Sequence, residues 1–311
     1  MVFSLLLILL GIVLLYYGGE VLVDNSIHLA RNFGLSRMVI GLTVVAFATS
    51  SPELAATITA ALQGSPDIAI GNAFGSNIAN LGLILGISVV IMPLAVKRRF
   101  LRREMAFMLF ATIIVYPVMI TGQELGRLEG AILFAFLVLF IYTLLQTRTE
   151  EDLAEDPEND DTTRSTLAAS LGVTIGIALL VVGAKVLIQG ATDIALALGI
   201  SELVIGLTLV AFGTSLPELA ASIVAARRKE GDLVLGNLVG SNIFNLLCIL
   251  GLTALIHPIN VAPAAMTLNY WVMFGISVLV LIFLVTNLRL FRVEGVVLLS
   301  LYVGYIVYLF Y

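Results

Sequence analysis

The chain has 311 residues, of which 60% are hydrophobic and only 12% charged, with a mean hydropathy of +1.09. Soluble domains carry roughly 25% charged residues, so a soluble fold is excluded and an integral, multi-pass membrane protein is expected. The net charge of −5 gives no sign of nucleic acid, since eight of the 21 acids fall between Glu150 and Asp161, and a single cysteine, Cys248, excludes an intrachain disulfide.

A helical crossing needs about 20 apolar residues. On that ruler the sequence predicts ten spans, near 2–22, 36–62, 67–92, 104–122, 127–146, 166–189, 201–227, 231–256, 264–286 and 290–310. The first run, FSLLLILLGIVLLYYGG, lacks the basic start of a signal peptide and returns in the second half as GVTIGIALLVVGAKVL, so it reads as a mature span. The second span carries GLTVVAFATSSPE at 41–53 and the third carries GNAFGSNIAN at 71–80. Both return 165 positions later without a gap, as GLTLVAFGTSLPE at 206–218 in the seventh span and GNLVGSNIFN at 236–245 in the eighth. Between the halves lies a polar, acidic, aromatic-free stretch, read as a solvated hinge. A calcium-binding loop there would need a turn glycine where Asp161 stands.

The expected organisation is thus a first five-helix repeat over 1–146, a linker over 147–165 and a second five-helix repeat over 166–311. A repeat with an odd number of crossings starts on one side and ends on the other, so its copy enters upside down. The fold class expected is an all-α membrane protein, ten transmembrane helices forming two inverted-topology repeats. Fourteen of the 16 Lys and Arg residues fall on the side holding the 1–2, 3–4, 5–6, 7–8 and 9–10 loops, with Arg127 and Lys185 opposite. The basic side is expected to be cytoplasmic, which puts the linker inside the cell and both termini outside.

The repeated motifs carry the chemistry. Glu53 and Glu218 are carboxylates inside apolar spans with no Lys or Arg in either motif, and an intramembrane charge is a functional-site hypothesis by default. Pro52 and Pro217 remove helix hydrogen bonds and should free carbonyls around Ala46–Thr49 and Ala211–Thr214; irregular backbone at this depth persists only where it lines a cavity or is buried in protein. Ca²⁺ takes roughly six to eight oxygen ligands. Two bidentate glutamates and the Thr49 and Thr214 carbonyls would supply six. Ser76 and Ser241, each followed four residues on by Asn80 and Asn245, add neutral oxygens suited to a singly charged hard ion, and Asn72 and Asn237 lie one turn earlier on the same path. Asp67 and Asp232 are expected as helix N-caps. His28 and His257 sit near span ends, which disfavours zinc or copper and leaves no nucleophile–base pair for an enzyme.

The paired motifs resemble the two α-repeats of the calcium:cation antiporters, specifically the prokaryotic type of the sodium/calcium exchanger family, over essentially the whole chain. The resemblance implies Na⁺/Ca²⁺ antiport by alternating access, with Ca²⁺ held centrally by Glu53, Glu218 and the Thr49 and Thr214 carbonyls. It implies one Na⁺ site at Ser50, Ser76 and the Ala46 carbonyl and another at Ser215, Ser241 and the Ala211 carbonyl. Asn80 and Asn245 would border the centre. Relatives often have Asp at the position of Asn245, and its absence argues against K⁺ transport; Ser50 and Ser215 favour Na⁺ over H⁺. No cofactor or protein partner is implied beyond the transported ions and membrane lipid. A proton-coupled calcium exchanger is the alternative within transport, and a cation channel the alternative outside it, although a channel is expected to be symmetric about the membrane normal rather than inverted.

Overall fold

The computed structural model describes residues 1–120, 124–146, 164–199, 211–261 and 263–310. Apolar runs shielded from water must satisfy every backbone N–H and C=O internally, and the chain does so almost entirely as helix. In order these are α1 (Val2–Asn32), α2 (Arg37–Thr49), α3 (Ser51–Leu62) and α4 (Pro66–Ile91), then α5 over 98–120 and α6 (Arg127–Gln146). The second half holds α7 (Thr166–Ala197), α8 (Ala211–Thr214), α9 (Leu216–Arg227), α10 (Gly231–Ile256), α11 (Pro263–Asn287) and α12 (Arg292–Phe310). Among the described residues seven helices are long and apolar enough to cross a bilayer, and α2 with α3, bent by 43°, makes an eighth. The expected fourth span corresponds to α5, whose first turns carry Arg98, Arg99, Arg102 and Arg103. The seventh, 201–227, falls in part on 200–210, outside the described residues, as does most of the linker.

Two helices outrun the sequence ruler. α1 and α7 continue to Asn32 and Ala197 rather than stopping at 22 and 189, so at 1.5 Å per residue each is about 46–48 Å long. In α1 the polar residues beyond the apolar run find partners. Arg228 at the end of α9 bonds Glu20 and Asp24 of α1, and Arg164 just before α7 pairs with Asp24 at 2.8 Å and with Asn25 at 2.9 Å.

α1 and α7 pack along their length and run antiparallel. Gly11 faces Gly183, Gly18 faces Gly176, and Ser4 faces Gly190. Since Gly176 and Gly183 are the 165-residue copies of Gly11 and Gly18, each contact is matched by its reciprocal.

Among the described residues, four two-residue strands add a feature not expected from the sequence. β1 (Leu94–Ala95) pairs with β4 (Arg289–Leu290), and β2 (Glu124–Leu125) pairs with β3 (Ile259–Asn260), all antiparallel. β3 is the copy of β1 and β4 the copy of β2, so each half lends a strand to the other. The cause is local: Pro93 and Pro258 hold the preceding Met92 and His257 extended, with φ −141° at both, which ends α4 and α10 and starts the strands.

At the centre, α4 and α10 are the most deeply buried of the long helices. α2 lies directly against α10, where a Cβ on Gly236 would stand 2.6 Å from the Met38 carbonyl. Small residues at this crossing let the backbones meet and bring the two sequence motifs together. Asp67 and Asp232 are not N-caps. They sit inside the first turns of α4 and α10, after cap residues Ser65 and Glu230, because Pro66 and Gly231 already occupy the first helical position.

Candidate ion-binding site

The site forms where two helices break. α2 stops at Thr49 and α3 starts at Ser51, with Ser50 at φ −81°, ψ 3° between them; α8 and α9 break in the same way at Ser215, with φ −88°, ψ 5°. Pro52 and Pro217 lie at the second position of the new helix, where they cannot bond back to Ala48 and Gly213. Each break leaves a helix N-terminus in the interior with a glutamate in its first turn, where the positive end of the helix dipole favours a carboxylate.

The two carboxylates are cross-braced. Ser50 Oγ donates to Glu218 Oε1 at 3.0 Å and Ser215 Oγ donates to Glu53 Oε1 at 3.0 Å, so the serine of each break holds the glutamate of the other. Both glutamates are only 1% exposed, and the crossed serine bonds hold each beside the helix break that carries the other. Among the described residues no Lys or Arg pairs with either. Their second oxygens, Glu53 Oε2 and Glu218 Oε2, are buried without a hydrogen-bond partner.

α4 and α10 supply the other walls. Both widen into a π-helical turn, at Ala79–Ile84 and Phe244–Ile249, and π-turns of this kind recur at functional sites. Each turn carries an asparagine, Asn80 or Asn245, whose Oδ1 is buried and unpartnered, as is Ser241 Oγ. Ser76 Oγ lies 3.4 Å from Ser215 Oγ, which can accept from it because the Ser215 hydrogen is given to Glu53. Four orphaned oxygens from symmetry-related residues, two of them carboxylate, cost free energy for as long as they lack a partner.

Other sequence-predicted residues brace this centre. Thr49 Oγ1 donates to the Val45 carbonyl at 3.0 Å and approaches Asn237 Oδ1 at 3.2 Å, while Thr214 Oγ1 lies 3.5 Å from Asn72 Oδ1. Asn72 Nδ2 donates to Thr57 Oγ1 at 2.8 Å and to the Glu53 carbonyl at 3.2 Å; Asn237 Nδ2 donates to Ser222 Oγ at 3.1 Å. Asn72 and Asn237 therefore tie the glutamate helices to α4 and α10. The Ala46 carbonyl accepts the Ser50 amide at 3.0 Å and lies 3.4 Å from Thr49 Oγ1. Ala211 opens α8.

Sequence reasoning missed Thr57, Ser222, Asn77 and Asn242. Their signal was available: all four recur at the 165-residue spacing as polar residues in apolar helices. Asn77 and Asn242 are copies of one another, and Asn77 Nδ2 donates to the Asn242 carbonyl at 3.3 Å.

A family model described as sodium/calcium exchanger protein matches residues 3–146 and again 168–311. The putative antiporter CaxA of Alkalimonas amylolytica is 38% identical, covering 98% of each chain. The sodium/calcium exchanger MaX1 of Methanosarcina acetivorans is 37% identical, covering 99% of each. Among solved structures, the sodium-calcium exchanger NCX_Mj soaked with Na⁺ and no Ca²⁺ superposes with a TM-score of 0.86 at 35% identity, covering 98% of each chain. With the family model matched once per half, the chain belongs to the sodium/calcium exchanger family.

Proposed function

We propose that this chain is a secondary antiporter exchanging Na⁺ for Ca²⁺ by alternating access, with ions held at Glu53 and Glu218. The observation that carries the reading is the set of four buried, unpartnered oxygens on Glu53, Glu218, Asn80 and Asn245. Two carboxylates balance one divalent cation, and hard oxygens suit Ca²⁺. The Thr49 and Thr214 carbonyls complete the calcium shell. One Na⁺ sits at Ser50, Ser76 and the Ala46 carbonyl, the other at Ser215, Ser241 and the Ala211 carbonyl. Holding Na⁺ at Ala46 requires its carbonyl to turn from its present donors. The antiporter names of the relatives agree with this reading and do not favour proton coupling.

The ten spans form two inverted five-helix repeats, 1–146 and 166–311, joined by a cytoplasmic linker over 147–165, with both termini outside. The antiparallel, reciprocal contacts of α1 with α7 and the strand exchange between halves support the inversion. Thr214 and Asn72 are partly exposed, whereas their copies Thr49 and Asn237 are buried. The site is therefore entered past Thr214, the extracellular side in this orientation. α1 and α7, joined mainly to one another, slide against the remaining helices to open the opposite path. An ion shifts that equilibrium only by its differential affinity for the two states. An empty pair of like charges resists the crossing, which enforces exchange over leak.

Proteoliposomes loaded with calcium decide the coupling. A Na⁺ gradient at fixed pH is expected to drive Ca²⁺ flux, and a pH gradient without Na⁺ is not; flux driven only by the pH gradient would overturn Na⁺ coupling. Ser215→Ala removes a flanking oxygen while leaving both carboxylates. It should weaken Na⁺ binding more than Ca²⁺ binding, by roughly tenfold or more for a neutral oxygen lost from a charged partner. Equal losses for both ions would contradict the flanking assignment.

A further inference from the structure

Asn80 and Asn245 can serve a cation only if they present oxygen rather than nitrogen to it. An asparagine amide is nearly symmetric in shape, so a partner must fix which end faces inward. Asn80 Nδ2 donates to Asn242 Oδ1 at 3.1 Å, and Asn245 Nδ2 donates to Asn77 Oδ1 at 2.9 Å. These bonds engage the nitrogens and leave both Oδ1 atoms buried and unpartnered.

The outer asparagines are themselves oriented. Asn77 Nδ2 donates to Met273 Sδ at 3.5 Å as well as to the Asn242 carbonyl, and Asn242 Nδ2 lies 3.8 Å from Met108 Sδ. Reversing Asn77 would set its oxygen against two acceptors, the sulfur and the carbonyl. Met108 and Met273 are a 165-residue pair on α5 and α11, outside both repeated motifs, and are fully buried. The same three-step chain thus occurs twice: thioether sulfur, outer asparagine, inner asparagine.

We infer that Met108 with Asn242, and Met273 with Asn77, form two relays that fix the amides of Asn80 and Asn245 with oxygen toward the transported cation, making the four residues positioning residues for ion binding. The inference rests on the reading of Glu53, Glu218, Asn80 and Asn245 as the ion site. A thioether is a weak acceptor, yet among side chains it meets Asn242 Nδ2 without bringing a charge or a further donor into the core.

The test separates acceptor chemistry from packing. Met273→Leu keeps the volume to a degree cores tolerate well but removes the acceptor; Met273→Gln restores an acceptor oxygen on a side chain of similar length. Each full-length protein is purified in detergent, titrated with CaCl₂ by calorimetry, and melted without calcium. Met273→Leu is expected to melt close to wild type yet bind Ca²⁺ about tenfold more weakly, the low end for loss of an outer-shell partner. Met273→Gln is expected to recover most of that affinity despite fitting an apolar pocket less well. Asn77→Leu, which removes the whole relay on one side, should lose more than Met273→Leu. If Met273→Leu binds like wild type, or if Met273→Gln is the weaker binder, the sulfur only fills space and the relay is wrong. If wild type binds no calcium, the ion site itself falls and the relay with it. Binding by wild type with unchanged variants overturns the relay alone.

Discussion

Replacing Glu53 or Glu218 by glutamine is expected to abolish Na⁺-driven Ca²⁺ exchange while leaving a folded protein. Glutamine keeps the volume and one oxygen but removes a full charge from a site that is 1% exposed and has no basic partner among the described residues. A divalent cation would then meet one carboxylate and be left half-neutralised in a medium of low dielectric. Breaking a buried charge pair by removing one partner costs about 3–5 kcal/mol, so calcium affinity should fall by at least about 100-fold. Stability without ions should move the other way or not at all. Two carboxylates buried without a basic partner among the described residues destabilise the ion-free fold, and removing one relieves that desolvation. The two readouts together are diagnostic: calcium should raise the melting temperature of wild type and leave that of Glu53→Gln unchanged. A glutamine variant that still exchanged calcium would rule out the central site. A variant that failed to fold would show that the carboxylate holds the helix break together, which the single 3.0 Å bond from each serine gives little reason to expect.

The glutamates were legible in the sequence for the reason that makes them costly. Charge is rare in an apolar span, and a charge repeated at a fixed interval with the same neighbours is not accidental. The helix breaks were legible too, because Pro52 and Pro217 act on the backbone within four residues. What the sequence did not expose is what depends on the far half of the chain. Ser50 reads as a residue near Glu53, but its hydroxyl bonds Glu218, 168 positions away. Asn72 and Asn237 read as path-lining residues, yet their amides are engaged in tying helices together. Asn77 and Asn242 lie in the same motif as Asn80 and Asn245 and went unread, because in an ideal α-helix residues three apart do not announce which of them turns inward. The π-turns at Ala79–Ile84 and Phe244–Ile249 alter that facing, and no residue type in ANLGLI or FNLLCI signals one. The strand exchange escaped for a simpler reason, since two residues are too few to set up an alternating pattern.

Leucine at Gly11 or Gly176 is expected to damage the protein without touching the ion site. A Cβ on Gly11 would stand 2.6 Å from Leu187 Cβ and 2.7 Å from the Leu187 amide nitrogen; on Gly176 it would stand 2.7 Å from the Leu22 nitrogen. These are backbone or Cβ atoms, so no side-chain rotation relieves the contacts and the helices must separate. Leucine gains up to about 1 kcal/mol over glycine in helix propensity, whereas overpacking a close contact costs about 1–3 kcal/mol or more. The clash should win, and the loss should appear as a lower melting temperature in detergent. Gly304→Leu is the control: it lies exposed on α12 with nothing within 4 Å of its added Cβ, and it should melt at or above wild type. Because Gly11 and Gly176 lie on the same α1–α7 seam, the double variant should cost less than the sum of the singles, as the first substitution already opens the gap the second needs. Exchange should fall with either single variant even at temperatures where the protein stays folded, if α1 and α7 move as one sliding body. Full exchange by a folded Gly11→Leu protein would mean that the seam is structural and that the gate lies elsewhere.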